Sequence, residues 1–314
     1  MRLAVYTTLY PAMLPWLDEW QHSVERQADD DFVLWIGLDG LRTEEIEHRL
    51  RIKQPICWIH ARPGDTPATV RNRALASLLH YCDAIVLVDS DDRLLPDRVA
   101  AARAALGHAD LVGCALRIID AEGRSLGAEF SPLGLAPDTV LPRRNLFGFS
   151  NSAIRASLLA RCLPVPDETV LMDWMVATRA WLAGATFAFD PIPRMEYRQY
   201  GANTARLGER LLPSQVLADT ALVVAHFHRV LATLLPEYSA DRIAALRRAA
   251  AEVQCFQSAI HRDSALLDRY VAAYNANPPA EILWWSHVAW PALASLWTMN
   301  QQEPIYENNA VGKY

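Results

Sequence analysis

Paired cysteines, an excess of basic charge and a glycine-rich loop behind the first apolar run are all missing from this 314-residue sequence. The five cysteines, Cys57, Cys82, Cys114, Cys162 and Cys255, are odd in number, scattered and free of any C-x-x-C pair. That spacing excludes a disulfide framework and a zinc knuckle, leaving buried free thiols. Lys and Arg number 30 against 36 Asp and Glu, a net charge of −6. Nothing global therefore draws the chain to a nucleic-acid backbone or an anionic membrane, and no nucleic-acid partner is expected. Any phosphate it binds must be met locally. The N-terminal apolar run is broken by Thr7 and Thr8, too soon for a signal-peptide core, which points to a cytoplasmic chain. Ile282 to Met299 lacks formal charge over a membrane-spanning length, but His287, Pro291 and tryptophans spread throughout argue against a span.

What is present is enough apolar residue, 52% of the chain, to build one large core or two smaller ones. Up to about residue 204, short apolar runs alternate with helical patterns. Leu3–Thr7, Phe32–Leu38, Pro55–His60 and Ala84–Val88 read as strands. Trp16–Arg26, a helix from Thr43 through about Arg51, and Thr66–Tyr81 lie between them. Ala84–Val88 (AIVLV) is apolar at every position, as in a central parallel strand covered on both faces. Alternation of this kind implies right-handed crossovers and a doubly wound, mostly parallel, Rossmann-like α/β sheet, with ligands at the carboxyl ends of its strands. From residue 205 to 314 the pattern becomes helical, with Ser214, Ser239 and Ser264 where N-caps would stand. Residues 1–204 and 205–314 are the expected units.

The sharpest chemical feature is Asp89-Ser90-Asp91-Asp92, directly behind that central strand. On extended backbone Asp89 and Asp91 point the same way. Two carboxylates side by side at a buried strand end repel unless a cation lies between them. Mg²⁺ or Mn²⁺ suits such a pair, because these ions take oxygen ligands and keep positions for substrate phosphates. The competing reading is a solvated acidic turn in which Asp92 caps the next helix. Upstream, Arg71-Asn72-Arg73 begins a basic and amide cluster on a helix. Two arginines two residues apart cannot share one face, so one of them, taken as Arg71, reaches the strand-end crevice.

The order of strand, Asp39-Gly40 turn, Arg71-Asn72-x-Ala74-Leu75 helix and Ile85-Val86-Leu87-Val88-Asp89-Ser90-Asp91-Asp92 resembles the nucleotide-binding half of a GT-A glycosyltransferase, family 2 in particular. The likeness runs on through Phe147 to Arg155 (FGFSNSAIR), a helix from Asp167 to Ala183, and Tyr197 to Thr204 (YRQYGANT), covering about two-thirds of the chain. It implies an inverting, metal-dependent, hexosyltransferase-type enzyme that moves a sugar from a nucleotide-diphosphate donor to a hydroxyl acceptor in polysaccharide or glycan assembly. In that family the Asp-x-Asp pattern holds a divalent metal. The resemblance thus assigns Asp91 to the metal and Asp89 to the metal or donor ribose, with Asp39 near the nucleobase. It puts Arg71 near the base or diphosphate, and Thr7, Thr8 and Ser90 with the donor set.

The catalytic base is taken as Asp173, which falls off the apolar stripe of Leu171, Met175, Thr178 and Leu182. Asp167 or Glu168 is the fallback. Three positions depart from the family pattern: Met172 replaces a glutamate before Asp173, Leu38 precedes Asp39 in place of a second aspartate, and Tyr200 stands where a histidine is usual. These departures keep open a catalytically silent nucleotide-binding or interaction protein. A sugar nucleotidyltransferase is disfavoured, because Thr7 to Met13 (TTLYPAM) carries no glycine or basic residue. His226 and His228 lie two apart on a helix and read as ordinary helix histidines. Trp284, Trp285, Trp290 and Trp297 read as the apolar side of a docked helix or a homodimer contact, with a peripheral membrane segment near a lipid-linked acceptor as the alternative.

Overall fold

A computed structural model describes residues 1–207 and 210–298. The first half alternates as the apolar pattern demands: β1 (Leu3–Leu9), α1 (Leu17–Glu25), β2 (Phe32–Leu38), α2 (Thr43–Ile46), β3 (Ile56–His60), α3 (Pro67–Leu78) and β4 (Ala84–Leu87). Then come β5 (Arg93–Leu94), α4 (Arg98–Ala105), β6 (Leu111–Ile119), β7 (Ser125–Phe130), α5 (Pro137–Val140), β8 (Ser152–Arg155), α6 (Ala156–Cys162), α7 (Met172–Leu182) and β9 (Phe187–Arg198). The helices α8 (Pro213–Ala232), α9 (Ala240–Arg262), α10 (Ser264–Ala276) and α11 (Ser295–Thr298) follow.

One sheet runs β3-β2-β1-β4-β8-β6-β9-β5, with β7 on β6. The first four strands are parallel; the runs of β1, β2 and β4 are almost wholly buried, as expected of a doubly wound half, and β3 at the sheet edge is half-buried. β8 enters antiparallel between β4 and β6 and joins this half to a mixed one in which β6 and β9 are parallel. The carboxyl ends of β1, β2 and β4 thus open beside the residues that lead into β8.

Three local expectations give way for identifiable reasons. The helix expected from Thr43 to Arg51 is a single turn, because Ile46 is its only buried residue and one anchor does not hold a longer helix. The helix expected from Asp167 begins at Met172, because the preceding stretch is tied to α3: Asn72 exchanges hydrogen bonds with the Val165 backbone at 2.8 and 3.1 Å, and Thr66 donates to the Asp167 carbonyl at 2.6 Å. Ser239 caps α9 as expected, whereas α8 starts on Pro213 and α10 is capped by Asp263.

The tryptophan segment forms no single amphipathic helix. Trp284 makes an antiparallel bridge with Asn145 and lies 4.0 Å from Phe130, ring centre to ring centre. Trp297 packs on Phe256, and Trp290 meets Tyr274 edge-on. Trp284, Trp285 and Trp297 are each 4–5% exposed. These three rings are spent inside the chain's own core, as in the docked apolar side among the expected readings, where their burial stabilises most, and Trp290 stays half-buried. Met299, the end of that stretch, lies outside the described residues. No helix among the described residues is long and apolar enough to cross a membrane.

Candidate active site

Beyond Leu87 the chain stays beside β1 for one more residue, the Val88 N–H donating to the Tyr6 carbonyl, and then turns, Asp92 N–H to Asp89 carbonyl at 3.3 Å. Although this is a turn and not extended strand, the alternation survives. Asp89 and Asp91 face one pocket of about 180 Å³, while Ser90 and Asp92 turn inward. The Ser90 hydroxyl donates to the Thr8 carbonyl at 2.7 Å, and Asp92 Oδ1 accepts the Arg198 N–H at 2.7 Å. Asp92 is thus no helix cap; that place before α4 belongs to Asp97.

Charge is concentrated here with little water to relieve it. Burial, and then the neighbouring Asp89 charge, push the Asp91 carboxyl above the ordinary aspartate range. Asp92 is raised further by burial and by both neighbours. Cations partly offset this. Arg71 approaches Asp89 Oδ1 at 3.7 Å with its guanidinium over the Phe149 ring. Arg198, with no exposed side-chain surface, donates to the carbonyls of Asp91 and Ala121 and to Glu19 Oε2 at 2.7–2.8 Å. It clamps the acidic turn from behind. Polar neighbours complete the wall: the Ser150 hydroxyl donates to Asp89 Oδ2 at 2.9 Å, and the Tyr200 hydroxyl to Asp91 Oδ2 at 2.6 Å. Tyr10 reaches Tyr200 oxygen to oxygen at 3.4 Å, and burial raises its phenol to about 12.

Asp173 lines the same pocket from the first turn of α7, half-buried where every other residue of that helix is fully buried. Its Oδ1 accepts the Trp174 N–H at 2.7 Å and its Oδ2 the Asn145 side chain at 2.9 Å. Burial still pushes its carboxyl up to about 6. A carboxylate so placed is charged at neutral pH yet basic enough to take a proton.

Asp89, Asp91, Arg71 and Asp173 therefore come together, and Arg73 turns away to Asp65 as the helix geometry required. Three expected donor contacts do not: the Thr7 and Ser90 side chains are buried behind the pocket, and Thr8, bonded to Tyr6, is absent from its wall. Of the three, Ser90 ties the acidic turn to β1 through the Thr8 carbonyl. Asp39 stands at the neighbouring end of β2, its N–H on the Leu9 carbonyl, outside this pocket. The fallbacks Asp167 and Glu168 are exposed and away from it. His226 is stacked on Trp174 and pushed down to about 3 by burial, a neutral core histidine, and His228 bonds Gln254.

Tyr10, Phe149, Trp284 and Trp285 also line the pocket, and Asn145 bonds Asp173, none of them marked for that part by the sequence. Gly148 carries a usable signal: a Cβ there would meet the Trp284 ring at 2.6 Å, so close aromatic approach requires glycine. Among the described residues no three acidic, histidine or cysteine groups gather as a self-sufficient metal cage.

No protein-family model and no curated protein matches the chain. Solved structures do. S. aureus TarS, residues 1–349 in complex with UDP-GlcNAc, is similar over 94% of this chain and 80% of that one, at TM-score 0.55 and 15% identity. The mannosyltransferase PcManGT from Pyrobaculum calidifontis, in complex with GDP-Man and Mn²⁺, is similar over 94% and 84%, at TM-score 0.55 and 16% identity. At such identities the likeness establishes the fold: a GT-A glycosyltransferase fold with helices appended at the C-terminus.

Proposed function

We propose that the chain is an inverting, metal-dependent glycosyltransferase that moves a sugar from a nucleotide-diphosphate donor to a hydroxyl acceptor in glycan synthesis. The observation that carries this reading is one pocket holding two separate carboxylate systems, the Asp89/Asp91 pair and the lone Asp173. One end of such a pocket suits a departing diphosphate and the other a reacting hydroxyl.

The pair fits a hard divalent cation. Its donors are oxygens, its buried member is raised by burial and then by its neighbour's charge, and the lack of a third protein ligand among the described residues leaves room for donor phosphates. Asp91 would hold Mn²⁺ or Mg²⁺ with Asp89 beside it, supplying positive charge where the leaving diphosphate develops negative charge. Arg71 adds a guanidinium at the same end, and Asp39 is placed for a nucleobase N–H. At the other end Asp173 accepts the acceptor hydroxyl's proton as that oxygen attacks the anomeric carbon from the face opposite the leaving group. Residues 1–204 form the catalytic unit in this reading, and the region from 205 completes the pocket wall with Trp284 and Trp285.

Incubation with a panel of UDP- and GDP-sugars, with and without Mn²⁺, tests the proposal by melting temperature and by release of nucleoside diphosphate. One donor raising the melting point in a metal-dependent way and being turned over is the expected result. A panel in which no nucleotide sugar does either overturns the reading.

A further inference from the structure

Asn145 sits ahead of β8, 1% exposed, with both ends of its amide committed. Its Oδ1 accepts the Phe147 N–H at 3.0 Å, and its Nδ2 donates to Asp173 Oδ2 at 2.9 Å. The orientation is not arbitrary. A backbone N–H can only donate, so the amide oxygen must face Phe147 and the amide nitrogen must face the carboxylate. Asp173 is held on its other oxygen by the Trp174 N–H, within its own helix. One grip on the carboxylate is therefore local, and the other comes from a loop 28 residues away in sequence. That loop is fixed in turn: the Asn145 backbone bridges to Trp284, whose ring covers Gly148 and packs on Phe130 and Tyr197.

We infer that Asn145 is a positioning residue for the base: it orients the Asp173 carboxylate toward the acceptor end of the pocket and ties that orientation to the seating of Trp284. The inference rests on the reading of Asp173 as base. A permanent donor on Oδ2 favours the charged carboxylate, the form able to take a proton. It also selects one rotamer of a side chain whose reacting oxygen must meet a hydroxyl within hydrogen-bond reach. The other charged and titratable groups facing Asp173 are Asp89 and Arg71, and Asp91, Tyr10, Tyr197 and Tyr200 line the same pocket. None of them hydrogen-bonds Asp173 among the described residues, so the directional restraint from outside its helix falls to Asn145.

The test is a titration of ¹³Cγ-labelled aspartate by NMR, the Asp173 resonance identified by its loss in Asp173→Asn, alongside the pH dependence of donor turnover. Asn145→Ala should move the Asp173 midpoint and the acid limb of kcat up together by about one pH unit, with KM for the donor unchanged. A midpoint and limb that stay in place, whether turnover is retained or falls equally at every pH, overturn the inference. Should Asn145→Ala fail to fold, Asn145→Ser keeps an acceptor for the Phe147 N–H but is too short to span to Asp173, and the same shift is expected of it. If Asp173→Asn retains turnover, the base assignment fails. If it loses turnover while both Asn145 variants leave the limb unmoved, the positioning role fails alone.

Discussion

The Tyr200 hydroxyl donates to Asp91 Oδ2 across 2.6 Å while its ring lies 4.6 Å from that of Trp16. A phenol held this way supplies a hydrogen bond but no ligand charge, so the anionic demand of a cation falls on the carboxylates. Asp91→Ala should therefore abolish the Mn²⁺-dependent part of the nucleoside-diphosphate melting shift, and Tyr200→Phe should leave it in place. Differential scanning fluorimetry with and without Mn²⁺ reads both, and an undiminished shift in Asp91→Ala removes the acidic turn from the site.

Asp173→Asn should keep donor binding and lose about 10²- to 10⁴-fold in turnover, the usual worth of a positioned base. In the wild-type protein, kcat should fall about tenfold per unit below pH 6, because the carboxyl raised to about 6 is protonated there and no longer accepts a proton. Steady-state rates between pH 5 and pH 8 check the limb.

The same substitution should stabilise the fold at alkaline pH. The Asp173 carboxyl is raised in the folded state from an ordinary 3.8 to about 6. Its contribution to stability is thus complete below the unfolded value and lost as pH rises through the folded one. Above pH 7 the buried charge costs about 1–3 kcal/mol after allowance for partial exposure, and Asp173→Asn removes that cost. Its melting temperature should exceed the wild type's by a few degrees at pH 8 and match it near pH 4.

Gly148→Ala should destabilise by about 1–3 kcal/mol, because the new methyl falls 2.6 Å from a Trp284 ring packed between Phe130 and Tyr197. Tryptophan fluorescence and the denaturant midpoint report it. An unchanged midpoint means that Trp284 moves freely and does not wall the pocket.

Much of this site can be read in one dimension where one residue run decides one feature. Phe32–Leu38 is apolar throughout and stops at Asp39-Gly40, so β2 has the expected bounds. The two-residue alternation of Asp89 and Asp91 and the angular separation of Arg71 from Arg73 are local geometry too, and both appear in the structure. What escapes is set by distant partners. Nothing near Asn145 reveals that it meets Asp173 and Trp284, nor does the sequence around Arg198 show that it will brace the acidic turn against Glu19. Burial is distant in the same way: Thr7 and Ser90 stand beside residues that face the pocket, but neighbours far along the chain cover them.

The helix that presents Arg71 to the pocket is also the one whose Thr66 and Asn72 hold the approach to α7. It is a crossbar between the acidic turn and the approach to α7, so the spacing between Arg71 and Asp173 is set by one helix and the hydrogen bonds it makes, not by two independent loops.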